Sequence, residues 1–157
     1  MSTSSDSKTI AVLNGPNLNL LGTRQPEIYG RQTLADIEAM CVKHSKSKGF
    51  DLRFQQTNIE GELVSMVQEA RTCAAVLINA AGYTHTSVAL LDALLTVDAP
   101  VIEVHLSSPH KREAIRHRSV IAPACTGVIA GFGALSYRLA LDAAIALVDG
   151  SLGITEG

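Results

Sequence analysis

K-T-I-A-V-L-N-G-P-N-L-N-L-L-G-T-R-Q-P-E-I-Y-G, from Lys8 to Gly30, decides the fold. Its first part, Ile10 to Leu13, is an apolar run of β-formers. The run stops at Asn14-Gly15-Pro16-Asn17, a cluster of turn residues. A long loop follows that carries one arginine, Arg24, and one tyrosine, Tyr29. A buried first strand that empties into such a loop belongs to an open α/β sheet. Ligands there bind outside the carboxyl ends of the strands, where the strand order reverses.

The chain beyond this stretch alternates in the same way. Thr33 is an N-cap candidate with Asp36 in the first turn, and Leu34, Ile37, Cys41 and His44 share one helical face before Gly49. Phe50, Leu52 and Phe54 alternate with polar residues, as in a half-buried edge strand. Leu63, Val64, Val67 and Ala70 predict a helix over 61–72. Ala74 to Ile78 is wholly apolar and reads as a central strand covered on both faces. A helix is expected over 86–96, with Thr84 or Thr86 as its cap. Pro100 to Val104 predicts a strand that delivers His105, then a short charged helix over 110–117. A last strand, 127–130, and a long terminal helix, 133–148, complete the pattern.

Five strands alternating with helices predict an α/β, flavodoxin-like three-layer sandwich. Its parallel sheet has the order 2-1-3-4-5. Residues 8–150 form one domain in this reading, between disordered tails at 1–7 and 151–157. The formal charge of -2 leaves no electrostatic footprint for nucleic acid. No apolar run is long enough to span a bilayer, and Met1 to Ser7 lacks the pattern of a signal peptide. Cys41, Cys73 and Cys125 are odd in number and far apart, so they read as reduced core residues of a cytoplasmic protein.

The chemistry-bearing residues have bland and sharp readings. A free tyrosine has a pKa of about 10, so about one molecule in a thousand is ionised at neutral pH. A guanidinium beside Tyr29 could favour the phenolate, and a hundredfold change takes roughly 2.7 kcal/mol. Spacing alone favours a simpler view, with Tyr29 covering the core and Arg24 solvated. His105 is either a general acid or base or a packed histidine bonded to backbone. Asn79 and His85 suit substrate hydroxyls, and Arg116 suits a carboxylate or a solvated helix face. Asp92, within an apolar helix, faces either another subunit or solvent. The histidines have no metal-ligand spacing, and no Gly-x-Gly-x-x-Gly follows the first strand. No metal and no cofactor is therefore expected.

Four motifs in order carry a resemblance. Asn14-Gly-Pro-Asn-Leu-Asn-Leu-Leu-Gly, Arg24 to Gly30, N-A-A-G-Y-T-H-T-S over 79–87, and Glu103-Val-His-Leu-Ser together resemble type II 3-dehydroquinate dehydratase. The resemblance implies loss of water from 3-dehydroquinate, the third step of the shikimate pathway. In this family it is an anti elimination through an enolate, with no Schiff base. Residue by residue, Tyr29 matches the base that takes the C2 proton, and Arg24 its activator. His105 matches the acid for the leaving hydroxyl, and Asn17 the residue holding a water on the enolate oxygen. Asn79, His85, Leu106, Ser107 and Arg116 match substrate contacts, and Asp92 a residue reaching a neighbouring subunit. The resemblance implies a homo-oligomer, a dodecamer built as a tetramer of trimers. It leaves open a biosynthetic role or catabolism of quinate. Gln25, Ala81, Ser108, Arg118 and Val120 depart from the family pattern without removing a catalytic group. The competing class is a non-catalytic flavodoxin-like module or a flavin or nucleotide carrier.

Overall fold

The structure, a computed structural model, describes residues 6–23 and 26–150. Five strands, β1 (Thr9–Asn14), β2 (Asp51–Gln56), β3 (Ala75–Asn79), β4 (Val101–His105) and β5 (Gly127–Ala130), form one sheet. All neighbours are parallel and the order is β2-β1-β3-β4-β5, as the alternation predicts.

Successive side chains on a strand point to opposite faces, and the sheet divides its core accordingly. Ile10, Val12, Ala75, Leu77, Ile102 and Val104 face α2 (Leu34–Ser47) and α5 (Leu135–Asp149). Ala11, Leu13, Val76, Ile78 and Val101 face α3 (Glu60–Glu69) and α4 (Val88–Leu94). Helices on both faces explain why β1 and β3 read as unbroken apolar runs. The edge strand β2 has no buried residue of its own, although Leu52 and Phe54 pack against the α2/α5 core.

Local signals set the helix ends. Thr33 Oγ1 accepts from the Asp36 N–H at 3.2 Å, and Asp36 Oδ2 accepts from the Thr33 N–H at 3.0 Å. This reciprocal pair is the capping box that starts α2. The buried stripe of α2 runs through Ile37, Cys41 and Ser45. His44 leaves that stripe and meets Asp142 of α5 at 2.6 Å.

Three expectations are corrected. The segment after β1 is not continuous loop, since it holds a 3₁₀ turn, Leu18–Leu20, and a single helical turn, α1 (Pro26–Tyr29). The helix expected over 86–96 is shorter. It follows a 3₁₀ turn at Ala81–His85, and Ser87, not Thr84 or Thr86, caps it by accepting from the Leu90 N–H at 3.0 Å. The charged helix expected over 110–117 is two 3₁₀ turns, Pro109–Lys111 and Ala114–Arg116, with Arg112 extended between them. That run is short and has no apolar stripe to bury, so nothing offsets the cost of helix nucleation.

Residues 1–5, 24, 25 and 151–157 lie outside the described residues, and with them most of both expected tails. Asp6 is described and meets Arg53 at 3.2 Å.

The sheet leaves no room at one point. The Gly15 N–H extends the β1–β3 ladder by donating to Asn79 O at 2.8 Å. A Cβ on Gly15 would lie 2.4 Å from the Ala80 carbonyl oxygen and 2.7 Å from its carbon. Backbone would meet backbone, and neither side can rotate away. Gly15→Ala is expected to cost roughly 3–5 kcal/mol. A thermal melt should then fall by on the order of 10 °C, and an unchanged melt would mean that the strand ends part freely.

Candidate active site

Register places Asn14 at the end of β1 beside Asn79 at the end of β3. Strand β1 connects outward to β2 while β3 leads the other way, so this pair marks the switch point of the sheet. Both side chains are buried. Tyr137 of α5 lies beneath them, and its hydroxyl donates to Asn14 Oδ1 at 2.7 Å. The same hydroxyl accepts from Asn79 Nδ2 at 2.9 Å. Asn14 Nδ2 donates to Gln55 O at 2.9 Å, and Asn79 Oδ1 accepts from the Ala81 N–H at 3.2 Å. Both amides are thereby fixed in orientation. Burial pushes the Tyr137 phenol above its ordinary range, so it stays a neutral donor.

Above this floor is a cavity of about 570 Å³. Pro16, Leu18, Leu20, Leu21, Ile37, Leu106 and Ala134 supply its apolar wall. Asn17, Gln32, Asn79, His85, His105, Ser107, Arg112 and Arg116 supply its polar groups. Apolar walls with a few convergent polar groups suit a small hydroxylated ligand.

His105 ends β4 and is 7% exposed. Its Nε2 meets Glu103 Oε2 at 2.6 Å, and Glu103 is itself 2% exposed. The two residues are two apart on one strand, so both point to the α3/α4 face. A carboxylate oxygen accepts, so Nε2 carries the proton in this bond and Nδ1 is left for the cavity. His85 is set by a different partner. Its Nδ1 donates to Arg118 O at 2.8 Å, which leaves Nε2 free to face a ligand.

The cationic side comes from the segment after β4. Arg112 and Arg116 both line the cavity, and Arg116 Nε donates to Glu113 Oε1. That hydrogen bond holds the exposed Glu113 carboxyl below its usual range. Opposite, Asn17 sits at φ 69°, a left-handed conformation that asparagine tolerates, and its N–H donates to Asn58 Oδ1 at 2.9 Å. Ala81 has φ 51° without that tolerance, and an L-residue there carries roughly 1–2 kcal/mol of strain. Glycine, which the resemblance has at this place, would carry none.

The structure therefore gathers seven of the ten residues singled out from sequence: Asn17, Asn79, His85, His105, Leu106, Ser107 and Arg116. Asp92 is not among them. It is exposed on α4 beside Val88 and Leu95, which are 59% and 61% exposed. Arg24 lies outside the described residues, and so do Gln25 and the side chain of Tyr29. The backbone of Tyr29 ends α1, and Gly30 follows at φ 82°.

Sequence reasoning did not select Glu103, Asn14, Tyr137 or Arg112 as site residues. Glu103 had a readable signal: a lone acid in an apolar strand, two residues before a histidine. Tyr137 had none, because a tyrosine among Ala and Leu at helical spacing reads as core.

The cysteines take no part. Cys41 and Cys73 are buried and Cys125 half-buried, all unpaired. Burial, reinforced by Glu38 and Glu103 respectively, pushes the Cys41 and Cys125 thiols up to about 12. Such thiols have almost no thiolate at neutral pH. Among the described residues, no group of three His, Cys, Asp or Glu is placed to hold a metal ion. No helix among them is long and apolar enough to cross a membrane.

Comparison with known proteins gives a consistent picture. The family model described as "Dehydroquinase class II" matches residues 8–145. A "3-dehydroquinate dehydratase" from Phenylobacterium zucineum is 57% identical over 142 residues, covering 90% of this chain and 98% of that protein. A "3-dehydroquinate dehydratase 2" from Pseudomonas aeruginosa is 55% identical over 136 residues, covering 86% of this chain and 92% of that protein. Among solved structures, the type II dehydroquinase from Propionibacterium acnes superposes with a TM-score of 0.84 at 40% identity. That match covers 88% of this chain and 97% of the other.

Proposed function

The chain belongs to the class II dehydroquinase family and is a hydro-lyase acting on 3-dehydroquinate; we propose that it works by anti elimination through an enolate. Tyr29, made acidic by Arg24, takes the C2 proton. The electron pair of the C–H bond moves into the ring and the ketone oxygen becomes an enolate. Asn17 holds a water against that oxygen, and such donors stabilise developing charge. When the enolate collapses, the carbon–oxygen bond to the leaving hydroxyl breaks. His105 gives that oxygen its proton, so that water departs and 3-dehydroshikimate remains. Asn79, His85, Leu106 and Ser107 hold the substrate, and Arg116 clamps its carboxylate.

One observation carries this reading. Seven of the proposed residues line a single cavity, and the histidine among them is backed by a buried carboxylate at 2.6 Å. A histidine held in this way has one nitrogen anchored and one available for proton transfer. The tyrosines support the choice of base. Tyr137 is locked beneath the floor, and the Tyr83 hydroxyl donates to Asn58 O at 2.8 Å. Tyr29 is the remaining one of three.

Residues 8–150 act as one catalytic domain in this reading, inside the cytoplasm, in the shikimate pathway or in catabolism of quinate. The functional particle is a dodecamer, a tetramer of trimers. Asp92 serves the site of a neighbouring subunit, and its exposure on an apolar face of α4 agrees with that role.

The anti course is tested with substrate stereospecifically deuterated at C2. Growth of the conjugated enone absorbance follows turnover, and mass spectrometry follows the label. Deuterium anti to the leaving hydroxyl should be lost, and deuterium syn to it retained. The opposite pattern would overturn the stereochemistry. Chelators and borohydride should leave the rate unchanged, and inactivation by either would point to a metal or a Schiff base.

A further inference from the structure

The three residues Arg118-Ser119-Val120 tie together the two histidines of the cavity. Arg118 O accepts from His85 Nδ1 at 2.8 Å, and the Val120 N–H donates to Thr84 O at 2.8 Å. Both bonds use backbone atoms of Arg118 and Val120 and neither of their side chains. Ser119 differs. Its Oγ donates to Glu103 Oε1 at 2.8 Å and accepts from the Ala122 N–H at 3.0 Å. The hydroxyl is thus saturated in one direction, and its single proton is committed to Glu103. Ser119 lies outside the residues that line the cavity.

We infer that Ser119 is a positioning residue for His105, acting through Glu103. The inference rests on the reading of His105 as the acid for the leaving hydroxyl. Glu103 is almost fully buried and each of its oxygens has one partner, Ser119 Oγ on Oε1 and His105 Nε2 on Oε2. With Oε1 held, the carboxylate cannot rotate about its terminal bond, and Oε2 stays aimed at Nε2. The imidazole plane is then fixed, and Nδ1 keeps its direction into the cavity. Without the Ser119 hydroxyl, one buried oxygen loses its donor. The carboxylate turns to share the remaining donor, and the ring follows it. Misplacement of a proton donor on the ångström scale lowers rates by one to two orders of magnitude.

The test compares variants of the full-length protein in the enone assay, with rates normalised to folded protein. Ser119→Ala should lower kcat by roughly ten- to a hundredfold with KM little changed. Ser119→Thr, which restores the hydroxyl, should recover most of the rate. In a Glu103→Gln background, Ser119→Ala should add no further loss. A wild-type kcat in Ser119→Ala would overturn the proposal. So would failure of the Thr variant to recover kcat, or an equal loss in the Glu103→Gln background. His105→Gln separates the two readings. Full activity there removes the acid role itself, whereas an inactive His105→Gln beside a fully active Ser119→Ala removes only the role of Ser119.

Discussion

Tyr29→Phe is expected to lose turnover, with kcat down by about 10²- to 10⁴-fold or more and the thermal melt unchanged. The substitution removes one oxygen and keeps the ring. Neither of the other two tyrosines can take over the proton, since the Tyr83 hydroxyl is held by Asn58 O. Tyr137 is committed to two buried asparagines, and its phenol is raised, which is the wrong direction for a base. The free ring nitrogens of His105 and His85 belong to imidazoles, which are far weaker bases than a phenolate. The C2 proton of a ketone is weakly acidic, so a weaker base in the same place would still be slow. The variant should also fail to exchange the C2 proton with deuterated solvent. Turnover within a few-fold of the wild type would exclude Tyr29 as the base.

The fold was legible because the sheet is covered on both faces. Ile10–Leu13 reads as a buried strand and Ala74–Ile78 as a central one, and Phe50, Leu52 and Phe54 alternate because β2 is an edge. The Thr33–Asp36 box announced α2 for a local reason, since both of its bonds span three residues. Segments governed by tertiary contact were not legible. Ser87 rather than Thr86 caps α4, after a 3₁₀ turn whose residue Thr84 is tied to Val120 across the fold. The site divides in the same way. Residues within contiguous motifs, such as Asn79 and His85, were readable. Tyr137 is not, because its partner Asn14 is 123 positions away and a phenol in a helix carries no mark of what lies above it. Ser119 is hidden similarly, 16 positions from Glu103.

The substitution at the other end of the reaction should separate the two proton transfers. His105→Gln leaves an amide that can still donate to Glu103, so the buried carboxylate keeps a partner and the fold survives. A glutamine cannot deliver a proton to the departing oxygen. Elimination should therefore fall by about 10²- to 10⁴-fold. Proton abstraction from C2 does not use this residue, so the enolate still forms on Tyr29 and returns. The variant should exchange the C2 proton with solvent while making almost no enone, which proton NMR in deuterium oxide detects directly. Tyr29→Phe should do neither. If His105→Gln loses exchange together with elimination, His105 acts on the first step, and the division of labour between phenolate and imidazole is wrong. If it retains full elimination, the acid lies elsewhere, and the Glu103–His105 pair is only a way of keeping a buried carboxylate satisfied.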